Sequence, residues 1–443
     1  MTPAPGGAGP APCFQPDVEC MDHEELEQLQ LERLEQTLTR VHRSVPFYRK
    51  RFDELGFDPE SVRHLSDLQA LPFTTKQDLR DGYPYGLFAV PLRDVVRLHA
   101  SSGTTGTATV VGYTRNDLKT WSNLVARLLV AGGVTKDDVV QVAFSYGLFT
   151  GAFGLHAGAE RLGCSVIPAS AGRTRQQIVI MQDFRTTALV CTPSYAMLLA
   201  ETLAEQGVDR NKLALRRGLF GAEPWSEKLR SELEERLGIT ATDNYGLSEI
   251  GGPGLAGECL ERRGLHLAED HFLVEVVHPE TLQPVAPGEL GELVITTLSR
   301  EAFPLVRYRT RDLTRLLPGP CPCGRTLARM DRLQGRTDDL LIVKGAKFFP
   351  SQVEAVLLEV EGTEPHFRIE IDRQGALDEA TVLVEVSEGI FFDDMRRQAE
   401  LKQRVERRLA SDLGVSLTVK LVERRTLERF EGKASRVVDR RKA

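Results

Sequence analysis

The stretch Ser101-Ser102-Gly103-Thr104-Thr105-Gly106 constrains this chain more than any other. Its two glycines let backbone N–H groups approach an anion closely, and its four hydroxylated residues add hydrogen-bond donors without bulk. Such a loop suits a polyphosphate; the simpler reading is a Ser/Gly/Thr connection between strands. An apolar strand-like run, Asp94–His99, precedes it, and Val110-Val111-Gly112-Tyr113 reads as a second short strand after it. That context does not fit a dinucleotide fingerprint, which needs G-x-G-x-x-G opening a helix, nor a Walker-type loop, which ends in G-K-[ST].

The 443 residues are 41% hydrophobic and 27% charged, enough for a substantial core and more than one domain. Lys+Arg 56 against Asp+Glu 63 gives a net charge of −7, so no global basic field is available for nucleic acid or an anionic membrane. No apolar stretch approaches the roughly 18–20 residues of a membrane span, and the Pro/Gly/Ala start lacks the basic and apolar regions of a signal peptide. The expected location is cytoplasmic.

Residues 1–16 are expected to be a disordered tail, because Pro, Gly and Ala there cannot bury a core. A helix is predicted over Asp22–Arg43, where Leu26, Leu29, Leu31, Leu34, Leu38 and Val41 recur near the helical period until Pro46 stops it. The middle alternates apolar strands (Val139–Phe144, Ser165–Pro168, Ala188–Cys191, Leu293–Thr297) with helices such as Arg175–Phe184 and Glu227–Leu237, which predicts layered α/β with parallel sheet elements. After Asp338 the pattern becomes a small α+β unit: a helix from Ser351, strands near Phe367–Ile371, Thr381–Val386 and Val415–Val422, and a helix across Asp393–Leu413. The expected domains are therefore 17–337 and 338–443. The basic cluster Arg436–Lys442 reads as a solvated helix end.

Five further motifs follow the loop: Gly221-Ala222-Glu223-Pro224-Trp225-Ser226, Asp243-Asn244-Tyr245-Gly246-Leu247-Ser248-Glu249, Arg307-Tyr308-Arg309-Thr310-Arg311-Asp312, Gly335-Arg336-Thr337-Asp338-Asp339 and Phe430-Glu431-Gly432-Lys433-Ala434. In this order they resemble the adenylate-forming enzymes, acyl- and aryl-CoA ligases that activate a carboxylate with ATP. Within that superfamily the chain is similar to the phenylacetate-coenzyme A ligase family from about Val45 onward. That likeness is carried by Phe144–Gly151, His156–Glu160, Gly257-Glu258-Cys259, Gly264-Leu265-His266 and Glu269–Glu275. One position departs: family loops usually continue with Lys-Pro where Thr107 and Ala108 stand, so pyrophosphate handling is either weaker or supported by another basic residue.

The resemblance implies a large N-terminal adenylate-forming domain and a small mobile C-terminal domain that rotates between two half-reactions about a hinge at Asp338. It implies ATP/AMP, magnesium and coenzyme A as cofactors, an aromatic carboxylic acid as substrate, and a place in aromatic acid catabolism. Lys433 becomes the adenylation lysine and Glu249 the magnesium ligand, since a hard cation wants carboxylate oxygen; a solvated lysine and a capping glutamate are the plain alternatives. Asp312 becomes the ribose ligand, accepting charge-assisted hydrogen bonds from sugar hydroxyls, unless it pairs with Arg309 or Arg311. Arg336 approaches the ribose-phosphate, and Tyr245 faces adenine or the acyl-phosphate. Tyr146, Phe149, Thr150, Phe153, Gly221 and Ala222 line or border a flat apolar acid pocket. Ala157 replaces a bulkier family residue and either enlarges that pocket or lies behind it.

Seven cysteines without a secretion signal argue against a disulfide framework. Cys13, Cys20, Cys164 and Cys191 are scattered, and the latter two lie in apolar runs where buried thiols are the default. Cys321-Pro322-Cys323-Gly324 resembles a metal knuckle, and Cys259 with His266 supplies two more ligands, which together fit a closed, structural Cys₃His zinc site. Unliganded thiols are the alternative. A catalytic Cys–His dyad is a poorer reading, because adenylation needs no protein thiol. An aryl-acid adenylyltransferase with a non-CoA acceptor and a non-catalytic relative are the competing functions, and a homodimer is an open assembly.

Overall fold

The computed structural model describes residues 12–101, 108–343, 346–374, 377–387, 390, 395–430 and 435–442. These form two compact units. The first takes in the chain up to Cys191, Lys212–Ala222 and Thr240–Arg332; the second takes in Thr192–Asn211, Glu223–Ile239 and the chain from Leu333. The sequence-based boundary at 337/338 is contiguous, whereas this division groups two earlier helical segments with the C-terminal one.

The first unit is organised by a nine-stranded sheet. Five of its strands run parallel, in the spatial order Ser165–Ile167, Val139–Val142, Ala188–Cys191, Arg217–Gly221, Thr240–Leu247. Gly252–Glu258, Leu265–Leu267, Arg329–Met330 and Leu316–Leu317 extend it antiparallel. Ala188–Cys191 is buried at every position, as a parallel strand covered on both faces must be. Helices Arg115–Ala131 and Gly151–Leu162 lie against one another, and Gly158 permits the approach: a Cβ there would stand 2.3 Å from Val125 Cγ1.

The predicted N-terminal helix spans His23–Ser44, with the Asp22 carboxylate accepting from the Glu24 N–H at its start. Its buried face is Leu26, Gln30, Leu34, Thr37, Leu38 and Val41; Leu29 and Leu31 fall to the side of it. Pro46 does more than stop that helix, because it opens the next, Pro46–Leu55, at the position where a missing N–H costs nothing. The disordered-tail expectation needs correction at its inner end. Residues 12–16 are held in place: Arg325 donates to the Pro12 carbonyl at 2.7 Å and Arg127 Nε to Gln15 Oε1 at 2.6 Å. Arg127 also makes a bidentate pair with buried Asp270 (2.8 and 3.0 Å), tying two helices and a loop together. The rest of the expected tail, residues 1–11, lies outside the described residues.

A separate antiparallel group, Phe272–Val277, Gly291–Thr297 and Tyr308–Thr314, carries a bulge in which the pairing jumps from Val294↔Arg309 to Glu292↔Leu313. Thr310, Arg311 and Asp312 therefore face only Leu293, and Arg311 takes a positive φ of 69°. Such a bulge re-aims side chains.

In the second unit, the strands run in the order Thr418–Glu423, Leu377–Val386, Thr363–Gln374, Val437–Asp439. Helices Pro350–Glu359 and Met395–Leu413 bury Val353, Leu357, Leu401, Val405 and Leu409 in one core with Ile369, Val382 and Val384. Helices Pro193–Glu205 and Glu227–Leu237 complete the unit. The basic C-terminal cluster is not a solvated helix end. Its Val437–Asp439 is a parallel edge strand, Arg436 pairs with Glu354 at 2.7 Å, and Arg441 pairs with Asp378 and Asp439.

Candidate active site and metal centre

Open α/β sheets bind ligands outside the carboxyl ends of their parallel strands. In the first unit the strand Arg217–Gly221 ends there in Gly221 and Ala222, and its neighbour Thr240–Leu247 brings Asp243, Asn244, Tyr245 and Gly246 alongside. Only glycine fits at 221, since a Cβ would meet the Asn244 carbonyl oxygen at 2.3 Å. The Asn244 amide donates to the Phe220 carbonyl at 2.6 Å, which locks the two strand ends. Asp243 is held through its N–H by Glu258 (2.7 Å) and through its carboxylate by Arg332 Nε (3.1 Å).

Tyr245 and Asp312 are 67 residues apart in sequence, yet the tyrosine hydroxyl donates to Asp312 Oδ2 at 2.5 Å, with both residues buried. The bulge at 310–312 aims the carboxylate. Of the two arginines weighed as partners for Asp312, Arg309 has its guanidinium on Glu292 at 3.0 and 2.6 Å, and the Arg311 backbone N–H also goes to Glu292. Glu249 sits on the single turn Ser248–Ile250, buried, with Lys76 Nζ 3.9 Å from its carboxylate.

Ser101 closes the base of the phosphate-type loop: its N–H donates to the Thr109 carbonyl at 3.0 Å, and its hydroxyl accepts from the Thr109 N–H at 3.3 Å. The flanking strands Arg97–Ala100 and Val110–Tyr113 pair as an antiparallel hairpin. Ser102, Gly103, Thr104, Thr105, Gly106 and Thr107 lie outside the described residues, as does Lys433.

Among the expected acid-pocket residues, Thr150 is buried, with its hydroxyl 3.1 Å from that of Ser248, beside Glu249. Tyr146 stands edge-on to Phe153, its hydroxyl 3.0 Å from His156 Nδ1, and His156 Nε2 is 3.0 Å from Glu160. Burial raises the Tyr146 phenol well above its ordinary pKa. Phe149 is 42% exposed, so it does not stand inside an enclosed pocket.

Four expected residues among the described ones belong to the second unit. Glu223 accepts from the Ser194 N–H at 2.7 Å, at the N-terminus of helix Pro193–Glu205, and Pro224 follows it. Arg336 clasps Asp338 in a bidentate pair at 2.9 and 3.1 Å, joining the expected ribose-phosphate contact to the expected hinge residue. Sequence reasoning did not single out Lys76, Ser248 or Arg332. Lys76 had a local signal, because Thr75 and Asp78 form a capping box around it; Arg332 had none.

A second cluster lies in the first unit. Cys259 follows the strand Gly252–Glu258, His266 sits on the adjoining strand opposite Gly257 and Arg329, and Cys321 and Cys323 come from the turn before Arg329. All four are buried, and their ligand atoms lie within 4.8 Å of one another. The Cys259 and Cys321 sulfurs are 3.7 Å apart, and the Cys323 sulfur is 3.4 Å from His266 Nε2. A tetrahedral zinc with Zn–S bonds of about 2.3 Å sets sulfurs roughly 3.8 Å apart, so the donor set fits. Hydrogen bonds from Cys259 and His266 hold the Cys323 thiol well below its ordinary value, and the first of these bonds drives Cys259 upward.

Residues 27–299 match the AMP-binding enzyme family, and residues 345–441 match the AMP-binding enzyme C-terminal domain. The phenylacetate-coenzyme A ligase of Thermus thermophilus is 49% identical, with 97% of this chain and 100% of that protein covered. The phenylacetate-coenzyme A ligase of Escherichia coli is 50% identical over 96% of this chain and 97% of its own. The chain belongs to the phenylacetate-coenzyme A ligase family. Solved structures agree on the fold. The 2-hydroxyisobutyryl-CoA ligase in its postadenylation state, in complex with 2-HIB-AMP, aligns with a TM-score of 0.92 at 29% identity, covering 100% of this chain and 96% of that one. The same ligase with 2-HIB-AMP and CoA in the thioesterification state gives 0.71 at 30% identity, covering 96% and 91%.

Membership in the phenylacetate-coenzyme A ligase family makes the chain an AMP-forming acid–CoA ligase. Its strand ends carry two buried carboxylates, Asp312 and Glu249, the latter with Lys76 Nζ 3.9 Å away.

Proposed function

We propose that this chain activates phenylacetate or a related aryl acid with ATP and transfers the acyl group to coenzyme A. The observation that carries this reading is the near-full-length identity of about half with phenylacetate-coenzyme A ligases. In the first half-reaction a carboxylate oxygen attacks the α-phosphorus of ATP, and the bond to the bridging oxygen breaks, releasing pyrophosphate and leaving an acyl-adenylate. In the second, the coenzyme A thiolate attacks the acyl carbonyl and AMP departs. Splitting the reaction makes each step tractable, and the main obstacle is electrostatic, since two anions must meet.

Within this scheme Asp312, oriented by Tyr245, receives the ribose hydroxyls, and the strand ends at Gly221-Ala222 and Asn244–Gly246 border the nucleotide. Lys433 neutralises the developing charge in adenylation, and Lys76 supplies part of the cation missing at Thr107. Glu249, a buried carboxylate of the hard-oxygen type, would hold magnesium, which neutralises phosphate charge when bound. Asp338 is the hinge, with its Arg336 clasp as the joint's first contact. Tyr146 and Phe153 form the aromatic wall for the acid, and Thr150 fixes its floor through Ser248. Cys259, His266, Cys321 and Cys323 hold a structural zinc.

The enzyme acts on small molecules in the cytoplasm, without nucleic acid or membrane. No helix among the described residues is long and apolar enough to cross a membrane. A homodimer is the assembly to test by light scattering. The decisive experiment follows AMP and thioester across a panel of aryl and short aliphatic acids, with and without coenzyme A. AMP formation requiring aryl acid, ATP and magnesium, with thioester requiring coenzyme A as well, is the expected result. Formation of ADP, or equal turnover of short aliphatic acids, sinks the assignment.

A further inference from the structure

The N-terminal segment carries two cysteines that the ligase chemistry does not use. They flank the short helix Pro16–Glu19, and their sulfurs are 3.8 Å apart. Neither belongs to the buried Cys259–Cys321–Cys323 set. Each of the other two thiols is placed differently: Cys191 is buried in a central strand, and Cys164 donates to the Thr135 carbonyl at 3.1 Å.

The pair is held, not merely near in sequence. Arg325 Nε donates to Glu19 Oε2 at 2.7 Å, with both side chains buried, and its Nη2 reaches the Pro12 carbonyl. The Glu19 carboxylate also accepts from the Gln15 N–H at 2.8 Å, and the Thr326 N–H reaches the Glu19 carbonyl at 3.1 Å. The Thr326 hydroxyl donates to the Met21 carbonyl at 2.7 Å, so clamps sit on both sides of each cysteine. Cys20 is exposed at the helix end, while Cys13 is half-buried. The 3.8 Å between the sulfurs exceeds a disulfide bond of about 2.05 Å by less than about 2 Å.

We propose that Cys13 and Cys20 form a modification site, a dithiol that a hydroperoxide converts to an intramolecular disulfide. The exposed Cys20 thiolate attacks a peroxide oxygen, the O–O bond breaks, and water leaves after protonation, giving a Cys20 sulfenic acid. The Cys13 sulfur then attacks the Cys20 sulfur, an S–S bond replaces the S–O bond, and the sulfenic oxygen departs as a second water with the Cys13 proton. The two thiols lose two electrons and hydrogen peroxide takes them up. Burial pushes the Cys13 thiol up to about 12, which agrees with Cys20 meeting the oxidant first and Cys13 resolving it. The disulfide staples the segment that Arg325, two residues after Cys323, grips beside the Cys₃His cluster.

The test uses the full chain, expressed with zinc, treated with hydrogen peroxide and then alkylated. Trypsin releases residues 1–33 as one peptide containing only these two cysteines, and a glutamate-specific protease cuts between them after Glu19. The expected product is a peptide about 2 Da lighter, closed to alkylation, whose halves stay joined after that cut until a reductant is added. Linkage forms faster in the native protein than in urea-unfolded protein. Cys13→Ser abolishes it and leaves Cys20 to overoxidise to the sulfinic acid. The proposal is overturned if both thiols stay alkylatable while a reference dithiol oxidises. It is overturned equally if Cys20 links to another cysteine or a second copy, or if native and unfolded rates are equal.

Discussion

The strand-end cluster and the sulfur cluster lie in the same unit and are built on opposite principles. Tyr245, Asp312, Asn244 and Asp243 are each fixed by a hydrogen bond or ion pair to backbone or to a neighbouring side chain, and in the proposed reading they border a ligand that comes and goes. Cys259, His266, Cys321 and Cys323 instead converge on a single point within 4.8 Å of one another, buried and closed. The difference teaches what to expect of damage: changes at the first cluster should read out in turnover, changes at the second in metal content and stability.

The largest effect is expected at the C-terminal lysine. Lys433→Ala should lower adenylation by about 10²–10³-fold, the range for losing one preorganised electrostatic contact. Thioester formation from a supplied acyl-adenylate should survive; pyrophosphate release and thioester are measured separately. Equal loss of both would assign the lysine to folding or to both conformations. Next, Asp312→Asn keeps the shape and removes the charge, and kcat/KM for ATP should fall by about 10–100-fold, as a charged hydrogen bond of about 1.5–3 kcal/mol implies. Tyr245→Phe should cost less, because it removes only the orienting donor. A variant Asp312→Asn with unchanged ATP kinetics would detach this cluster from the nucleotide.

Asp338→Pro tests the joint. Fixing φ near roughly −65° should lower thioester formation about tenfold or more while adenylation stays measurable, with the fold checked by circular dichroism. Matching losses would refute the hinge. The smallest effect on turnover belongs to the sulfur cluster: Cys321→Ser with Cys323→Ser should change activity by no more than about threefold at low temperature. The same variant should lose about one zinc per chain by elemental analysis and melt earlier. Wild-type protein without zinc after metal-replete expression, or a double variant of unchanged stability, leaves only the thiol reading.

Much of the scaffold was legible because its signals are local. Glu227–Leu237 and Ala188–Cys191 lie where periodicity and composition put them, and the helix expected from Asp22 starts at His23 with Asp22 as its cap. The four Cys/His candidates are brought together as expected, since a knuckle and a nearby strand pair leave few other arrangements. Other readings failed for lack of a local signal. Residues 12–16 have the composition of a tail but are held by Arg325 and Arg127, whose positions lie more than a hundred residues away. The basic end has the composition of a solvated helix, yet pairing with Thr363–Gln374 makes part of it a strand.

Residue order alone established the motif set, the alternating elements and hence the family's layered architecture, because hydrophobic period, turn chemistry and loop composition act over a few residues. Only the folded chain decided that Tyr245 reaches Asp312, that Arg309 holds Glu292, and that Cys13 stands 3.8 Å from Cys20. Those outcomes depend on strand register, on the bulge at 310–312 and on distant arginines. Free energy there is set by which buried charges and hydrogen bonds are satisfied together, a property of the packed whole that no short window contains.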